Sequence, residues 1–351
     1  MNADQKAGQH RINRRSLLLG AAAGGAVGAA AIGGAWAATA LRPPQVVTTL
    51  STASVFEHAY AFTTLGTMGG PVPHPDRAQP ANLLHDAEHA ILIDVGDGAA
   101  AQLAKAGVAL TALSTLIISH LHVDHTGGLF ALLGARIQQH VPGTLVVYGP
   151  PGTKQTVAEI ETAQRYLADL DHAENTRTAD LAPTLVEVHE ITDGSSFVLG
   201  DVTVLAAGNT HYGFAPGSAD ATAFQSLSLR FDTPDRSILY TGDTGPSPAV
   251  EQLGHGVDLL VSEIIDPDEE LAKTLATRSD IPRYAIPFLR KHFADQHLTA
   301  KEVGRLMQRT GAKRLVLTHN AMDAVGIARA GQIIAGLSER PLAFANDLDT
   351  W

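Results

Sequence analysis

Leu116-Ile117-Ile118-Ser119-His120-Leu121-His122-Val123-Asp124-His125-Thr126-Gly127-Gly128 decides the reading of this chain. An apolar run leads directly into three histidines and an aspartate gathered between His120 and His125. The run reads as a short buried strand. On extended backbone, residues two apart point to the same side, so the imidazoles of His120 and His122 share one face. Asp124 and His125 follow, just before Gly127-Gly128, where the chain can turn into a helix. Imidazole and carboxylate donors converging at the carboxyl end of a strand suit a borderline divalent metal such as zinc. A lone histidine in this setting is usually a strand cap; three histidines and an aspartate in this pattern are better explained as ligands.

The chain around this stretch has 351 residues, 45% of them hydrophobic, enough for a sizeable core in one large domain or two smaller ones. It has no cysteine, which excludes disulfides, thiolate zinc sites and cysteine nucleophiles. The formal charge is −11, and the basic residues Lys6, Arg11, Arg14 and Arg15 against Asp4 place the acidic excess beyond residue 40. An acidic body is a poor electrostatic match for a polyanion such as a nucleic acid, although a local basic patch would still allow one to bind.

Residues 1–40 read as a targeting segment. Asn13-Arg14-Arg15-Ser16-Leu17-Leu18-Leu19 resembles a twin-arginine export signal, and an uncharged stretch rich in Ala and Gly runs from Leu17 to Ala40. Ala38-Thr39-Ala40 has the small-x-small form of a cleavage site, and Ala35-Trp36-Ala37 is a second candidate. The competing reading is an uncleaved anchor: the stretch is long enough to span a bilayer, but its glycines make it weakly apolar. The expectation is a signal peptide over 1–40 and one folded domain over 41–351. The twin-arginine translocation machinery would be a partner, the location periplasmic or exported, and the mature chain without a stable membrane span. Oligomeric state stays open, with a homodimer as one candidate.

Strands are expected at Val46–Leu50, Ala59–Leu65, Ala90–Gly96, Thr144–Tyr148 and Leu185–Ile191. A hairpin is expected at Ser196–Leu199 and Val202–Ala206, then strands at Ser226–Phe231, Ser237–Tyr240, Leu259–Glu263 and Arg314–Thr318. Helices are expected at Ala99–Ala106, Leu129–His140, Lys154–Asp169 and Thr299–Thr310. Pro71–Pro80, with His74 and Arg77, reads as a loop; Leu65-Gly66-Thr67-Met68-Gly69-Gly70 is a glycine-rich turn without the spacing or lysine of a phosphate loop. Asp266–Asp295 is helical in composition without a sharp core pattern, a candidate lid or oligomer contact. Strands alternate with helices, yet the hairpins require mixed sheets. The architecture that fits is α/β, two packed mixed sheets flanked by helices.

Three further ligand candidates share the context of the opening stretch: His211, Asp243 and His319 each stand just past an expected strand end. Singly, each has an ordinary reading as a loop residue, a turn former or a strand cap. Jointly with His120–His125 they read as one site.

On these residues the sequence is identified as a member of the metallo-β-lactamase fold superfamily. The likeness runs from about Leu65 to His319, and within the superfamily it is strongest to the RNase Z and arylsulfatase-like branch. Leu92-Ile93-Asp94-Val95-Gly96, Gly149-Pro150-Pro151-Gly152-Thr153 and His297-Leu298-Thr299-Ala300 carry that finer likeness, with the glycine-rich turn. The resemblance implies an αββα sandwich with a dinuclear site at one edge. His120, His122 and His211 would bind one divalent ion, Asp124, His125 and His319 the second, and Asp243 would bridge them. Zinc is the ion expected, with manganese and iron as alternatives. Flavodiiron relatives carry a glutamate where His122 stands, which argues against redox iron. The resemblance further implies attack by a metal-activated hydroxide, with Asp124 and His297 in the catalytic set. His297 would stand near the leaving group; its ordinary reading is a neighbour of the helix start at Thr299. Asp94 would orient a ligand imidazole or be a strand-end acid. The chain departs from RNase Z in its export signal, its acidic body and the lack of a long basic Gly/Pro-rich arm. The expected activity is therefore hydrolysis of a small anionic ester, a phosphodiester or a sulfate ester. A lactonase or β-lactam hydrolase, with Tyr212 polarising a carbonyl, and a non-catalytic metal-binding protein are the competing readings.

Overall fold

The structure, a computed structural model, describes residues 59–86, 89–174 and 185–351. The export-signal reading over 1–40 and the strand expected at Val46–Leu50 lie outside these residues.

Two seven-stranded sheets organise the chain. The first contains β1 (Ala61–Gly66), β2 (Ala81–His85), β3 (Ala90–Ile93), β4 (Leu113–Ile117), β5 (Thr144–Gly149) and β6 (Leu185–Glu190), with the C-terminal β14 (Asp349–Thr350) added on the free side of β1. The second contains β7 (Ser196–Leu199), β8 (Val202–Gly208), β9 (Leu227–Asp232), β10 (Ser237–Tyr240), β11 (Leu259–Ser262), β12 (Arg314–Leu317) and β13 (Leu342–Phe344). Each sheet begins as an antiparallel meander and continues as parallel pairs, β3 through β6 in one and β10 through β13 in the other.

The central parallel strands β3, β4, β11 and β12 are largely buried on both faces, which is why they read as unbroken apolar runs rather than alternating ones, whereas β6 at the edge is exposed and alternates. Ile91, Ile93 and Ile117 point inward and pack with Leu229, Phe231, Tyr240, Val261 and Val316 of the opposite sheet. Leu92 and Leu116 point outward, onto α1 (Ala99–Lys105) and α3 (Leu129–Gln138), where Leu103, Leu129 and Leu132 cover them. On the far side Leu239, Leu260 and Leu317 pack against α9 (Ala300–Thr310) and α10 (Ala324–Ala335) through Val303, Leu306 and Ile334. The result is helix, sheet, sheet, helix. A fully buried leucine such as Leu116 stabilises this arrangement by roughly 1.5–3 kcal/mol through burial alone.

Most expected elements stand within a residue or two of their place, and four differ informatively. The helix after the metal-like motif, α2 (Val123–Thr126), starts before Gly127-Gly128, not at it; Gly128 instead precedes α3. The strand β2 follows the proline-rich loop directly, because Ala81–His85 pairs on both sides. Two short strands, β13 and β14, follow the strand at Arg314. Asp266–Asp295 forms α7 (Pro267–Thr277) and α8 (Ile286–Gln296), and neither helix buries a residue. That exposure explains the missing core pattern. No helix among the described residues is long and apolar enough to cross a membrane.

Candidate metal centre

One edge of the two sheets collects the ends of strands that run in a common direction. β1 leads to Gly69, β3 to Asp94, β4 to His120, β8 to His211, β10 to Asp243, β11 to Glu263 and β12 to His319. Ligands commonly gather at the carboxyl ends of such strands, because loops leave them with side chains aimed outward. The α2 turn adds Asp124 and His125, both buried. Asp94 and His319 have positive φ, 58° and 44°. Non-glycine residues held there cost about 1–3 kcal/mol each and persist where the surroundings fix them. Gly69 is required by a close approach: a Cβ there would meet the His319 backbone at 2.9 Å.

All seven residues expected as ligands come together. Potential donor atoms of His120, His122 and His211 lie within 4.8 Å of one another, as do those of Asp124, His125, Asp243 and His319. His122 Nδ1 is 3.2 Å from His120 Nε2 and 3.0 Å from His211 Nε2. Asp243 faces both groups: Oδ1 is 3.2 Å from Nε2 of His125 and of His319, and Oδ2 is 3.8 Å from Nε2 of His120 and of His211. Asp124 Oδ2 is 3.3 Å from His319 Nε2.

The partners on the outer side fix the rings. His125 Nδ1 meets Asp94 Oδ2 at 2.8 Å, so its Nε2 is left facing inward. Asp94 also accepts from the Ser119 backbone N–H and hydroxyl and from Tyr240 OH, at 2.7, 2.8 and 2.7 Å. Ser119 Oγ lies 3.1 Å from His120 Nδ1, and His211 Nδ1 lies 3.0 Å from the Gln296 carbonyl.

Charge within the site is unevenly placed. Burial lowers the pKa of His120, His122 and His211, the last to about 3, which keeps their lone pairs available. Burial opposes charge on His125 and His319, but the carboxylates around them together outweigh it and raise both, Asp243 with Asp94 for His125 and Asp243 with Asp124 for His319. Burial would raise Asp124 and Asp243; their histidine neighbours lower them instead, Asp124 to about 2. Two inward atoms, Asp243 Oδ1 and His125 Nε2, are buried without a hydrogen bond. Such orphans are costly unless something else satisfies them. Neutral imidazoles crowded nitrogen to nitrogen, two ionised carboxylates and orphaned inward donors together fit divalent cations.

His297 lies at the C-terminal end of α8, with Nδ1 2.7 Å from Glu263 Oε2. Burial opposes its charge, but Glu263 and the site carboxylates raise its pKa to about 9. Its ring centroid is 4.9 Å from that of His211, and it lines the cavity over the candidate ligands. The helix start nearby is capped by Thr299, whose hydroxyl accepts from Glu302 N–H. Tyr212 packs its ring against His122, centroids 5.1 Å apart, while its hydroxyl accepts the Leu121 N–H at 3.2 Å. It is not among the cavity's lining residues.

Glu263 is the site residue that the sequence reading passed over as the end of a strand. It is buried, binds His297 and accepts the Thr244 N–H at 2.5 Å. An acid ending a buried apolar run, as at Asp94 and Asp243, was the available signal.

A sandwich of two mixed sheets has histidines and aspartates converging at one edge, and the relatives of the chain make it a metal-dependent hydrolase acting on ester bonds. Residues 89–320 match the beta-lactamase superfamily domain, and the chain belongs to that family, with the metallo-β-lactamase fold. Ribonuclease Z of Mycobacterium sp. strain KMS is 33% identical over 261 residues, 73% of this chain and 82% of that protein. The metallo-β-lactamase fold protein YhfI from Bacillus subtilis has a TM-score of 0.59 at 18% identity, over 83% of this chain and 98% of its own. Human tRNase Z, short form, has a TM-score of 0.56 at 22% identity, over the same two shares. Identities this low speak for the fold alone.

Proposed function

We propose that the protein is a dinuclear hydrolase of small phosphodiesters. The observation that carries this reading is Asp243, whose two carboxylate oxygens face two separate sets of donors. His120, His122 and His211 would hold one divalent ion, and Asp124, His125 and His319 the other, with Asp243 shared. Zinc is favoured, as a borderline ion suited to imidazole and carboxylate. When bound, such a pair supplies a nucleophile from water near neutral pH and offsets negative charge on the substrate.

The chain's own residues do the remaining work. Asp94, with Ser119 and Tyr240, holds His125 in one tautomer and orientation. Glu263 orients His297 and keeps a proton on it, so that Nε2 can donate to the leaving oxygen. The 33% identity to a ribonuclease Z supports phosphorus as the reacting centre. The acidic charge of the chain supports a small substrate over an RNA.

A panel on metal-reconstituted protein tests the reading, with aryl phosphodiesters, aryl sulfates, lactones, β-lactams and a precursor tRNA, and with His122→Ala as control. Turnover of phosphodiesters, lost in the variant, is expected. Cleavage of lactones alone, or of precursor tRNA far better than any small diester, would sink it. Fewer than about one metal per chain, with no hydrolysis after metal reconstitution, would favour a non-catalytic scaffold.

Residues 1–40 are proposed to direct export, on the strength of Arg14-Arg15 and the uncharged run that follows. Cell fractionation checks this: Arg14→Lys combined with Arg15→Lys should retain the protein inside the cell, and an unchanged periplasmic fraction would refute it.

A further inference from the structure

The cavity over the metal cluster has a volume of about 350 Å³. One side is the site itself. The other is built by Ile264 and Ile265, which follow β11, by Phe293 of α8 and by Glu270 of α7. Among the described residues no lysine or arginine lines it. The lysines and arginine on the same two helices are turned to other work: Lys273 pairs with Glu269, Arg290 with Asp268, and Lys291 with Asp295, while His292 of α8 also lines the cavity. Glu270, by contrast, makes an ion pair with no cation among the described residues, so it brings negative charge to the cavity.

We propose that this wall is a subsite for an apolar, uncharged group on the ester: Phe293 with Ile264 and Ile265 selects that group, and Glu270 rejects a second anionic one. The inference rests on the phosphodiesterase reading and deepens it. The occupant follows from continuity, because the wall and the metal ligands His122, Asp124, His211 and His319 line one cavity. A substrate anchored at the ions by its single negative charge must lay one ester group against these side chains. An aryl or branched alkyl group gains from leaving water there. A chain of phosphates extending along the wall meets Glu270 and no lysine or arginine.

The experiment uses the full metal-loaded protein and p-nitrophenyl diesters that share a leaving group. One carries phenyl, one methyl and one a carboxylate-bearing alkyl group as the second ester. The phenyl diester is expected to exceed the methyl diester in kcat/KM by about tenfold or more, a factor in line with one aromatic contact. Phe293→Ala should collapse that ratio toward one, while Phe224→Ala, a surface ring absent from the cavity lining, should preserve it. Glu270→Gln should narrow the gap between the phenyl and the carboxylate-bearing diesters by roughly threefold, as a solvent-screened charge allows. A wild-type protein that cleaves all three diesters alike, or ratios that Phe293→Ala leaves standing, would overturn the subsite while leaving the phosphodiesterase intact. Absence of turnover on every diester would be a failure of the phosphodiesterase reading. The wall is then read without turnover, by calorimetric binding of phenylphosphonate against methylphosphonate to the metal-loaded protein. Equal affinities, or a preference that survives Phe293→Ala, would overturn the subsite on its own.

Discussion

Asp94 Oδ2 lies 2.8 Å from His125 Nδ1, and neither side chain is exposed to solvent. The contact leaves His125 with one inward nitrogen and places a charge behind it. Replacing Asp94 by asparagine keeps the volume but removes the charge, and it can present an amide N–H to the ring. Partners of this kind are worth about 10–100-fold in metal affinity or activity. Asp94→Asn is therefore expected to weaken metal binding by about that factor, read by competition with a chromogenic chelator. Unchanged affinity would assign Asp94 to strand-end packing alone.

The two donor groups predict separable losses. His211→Ala removes a donor from the group that includes His120 and His122. His319→Ala removes one from the group that includes Asp124 and His125. Each variant is expected to retain about one ion per chain where the proposed two-ion site would give the parent protein about two. Elemental analysis after gel filtration decides it. If either variant still holds the parent's full complement, that histidine is not a ligand.

His297 is proposed to act on the leaving group, whereas Glu263 acts only through His297. His297→Ala should keep the metal content and lower kcat by about 10²–10⁴-fold, the usual span for a general acid. The loss should grow as the leaving alcohol becomes more basic, so an alkyl diester should suffer more than a p-nitrophenyl one. Glu263→Gln should follow the same trend with a smaller loss, since His297 itself remains. An identical loss on good and poor leaving groups would remove proton donation from the account.

Metal removal is a stability test as well as an activity test. Ions that bind the folded chain only stabilise it by about 2.7 kcal/mol at a concentration one hundred times Kd. Asp243 Oδ1 and His125 Nε2 are buried without hydrogen-bond partners, so the chain has a structural reason to gain. Chelation should lower Tm by several degrees and readdition of zinc should restore it. A melting curve indifferent to both would count against ions seated among these residues.

The sequence made the site legible because its chemistry is local: His120, His122, Asp124 and His125 sit on one short stretch, and His211, Asp243 and His319 each close a strand. The central parallel strands β3, β4, β11 and β12 were legible for a related reason, being largely apolar on both faces. What escaped reading depends on distant pairing. β2 and β14 have no strong period of their own and exist because β1 offers an edge on each side. Glu263 looks like an ordinary strand-end acid until His297, thirty-four positions away, is seen against it. The walls of the cavity were equally hidden, since α7 and α8 bury nothing and so leave no periodic mark.

Gly96 joins the fold to the site and gives a final prediction. It follows β3 and Asp94, and its N–H donates to Pro80 O at 2.9 Å. A Cβ at this position would stand 2.2 Å from the Asp124 carbonyl oxygen and 2.8 Å from the Gln79 carbonyl carbon. Both are backbone atoms, so no side-chain rotation can relieve the overlap. Gly96→Ala must displace either the turn after β3 or the start of α2, and α2 carries Asp124 and His125. Overpacking of this sort costs about 1–3 kcal/mol. The expected result is a lower Tm together with weaker metal binding, because the same shift moves two proposed ligands. Gly143→Ala serves as the comparison: φ there is +83°, but a Cβ meets nothing within 4 Å. It should cost stability through backbone strain while leaving metal affinity as it was. If Gly96→Ala behaves as Gly143→Ala does, the packing between the β3 turn and α2 does not position the ligands.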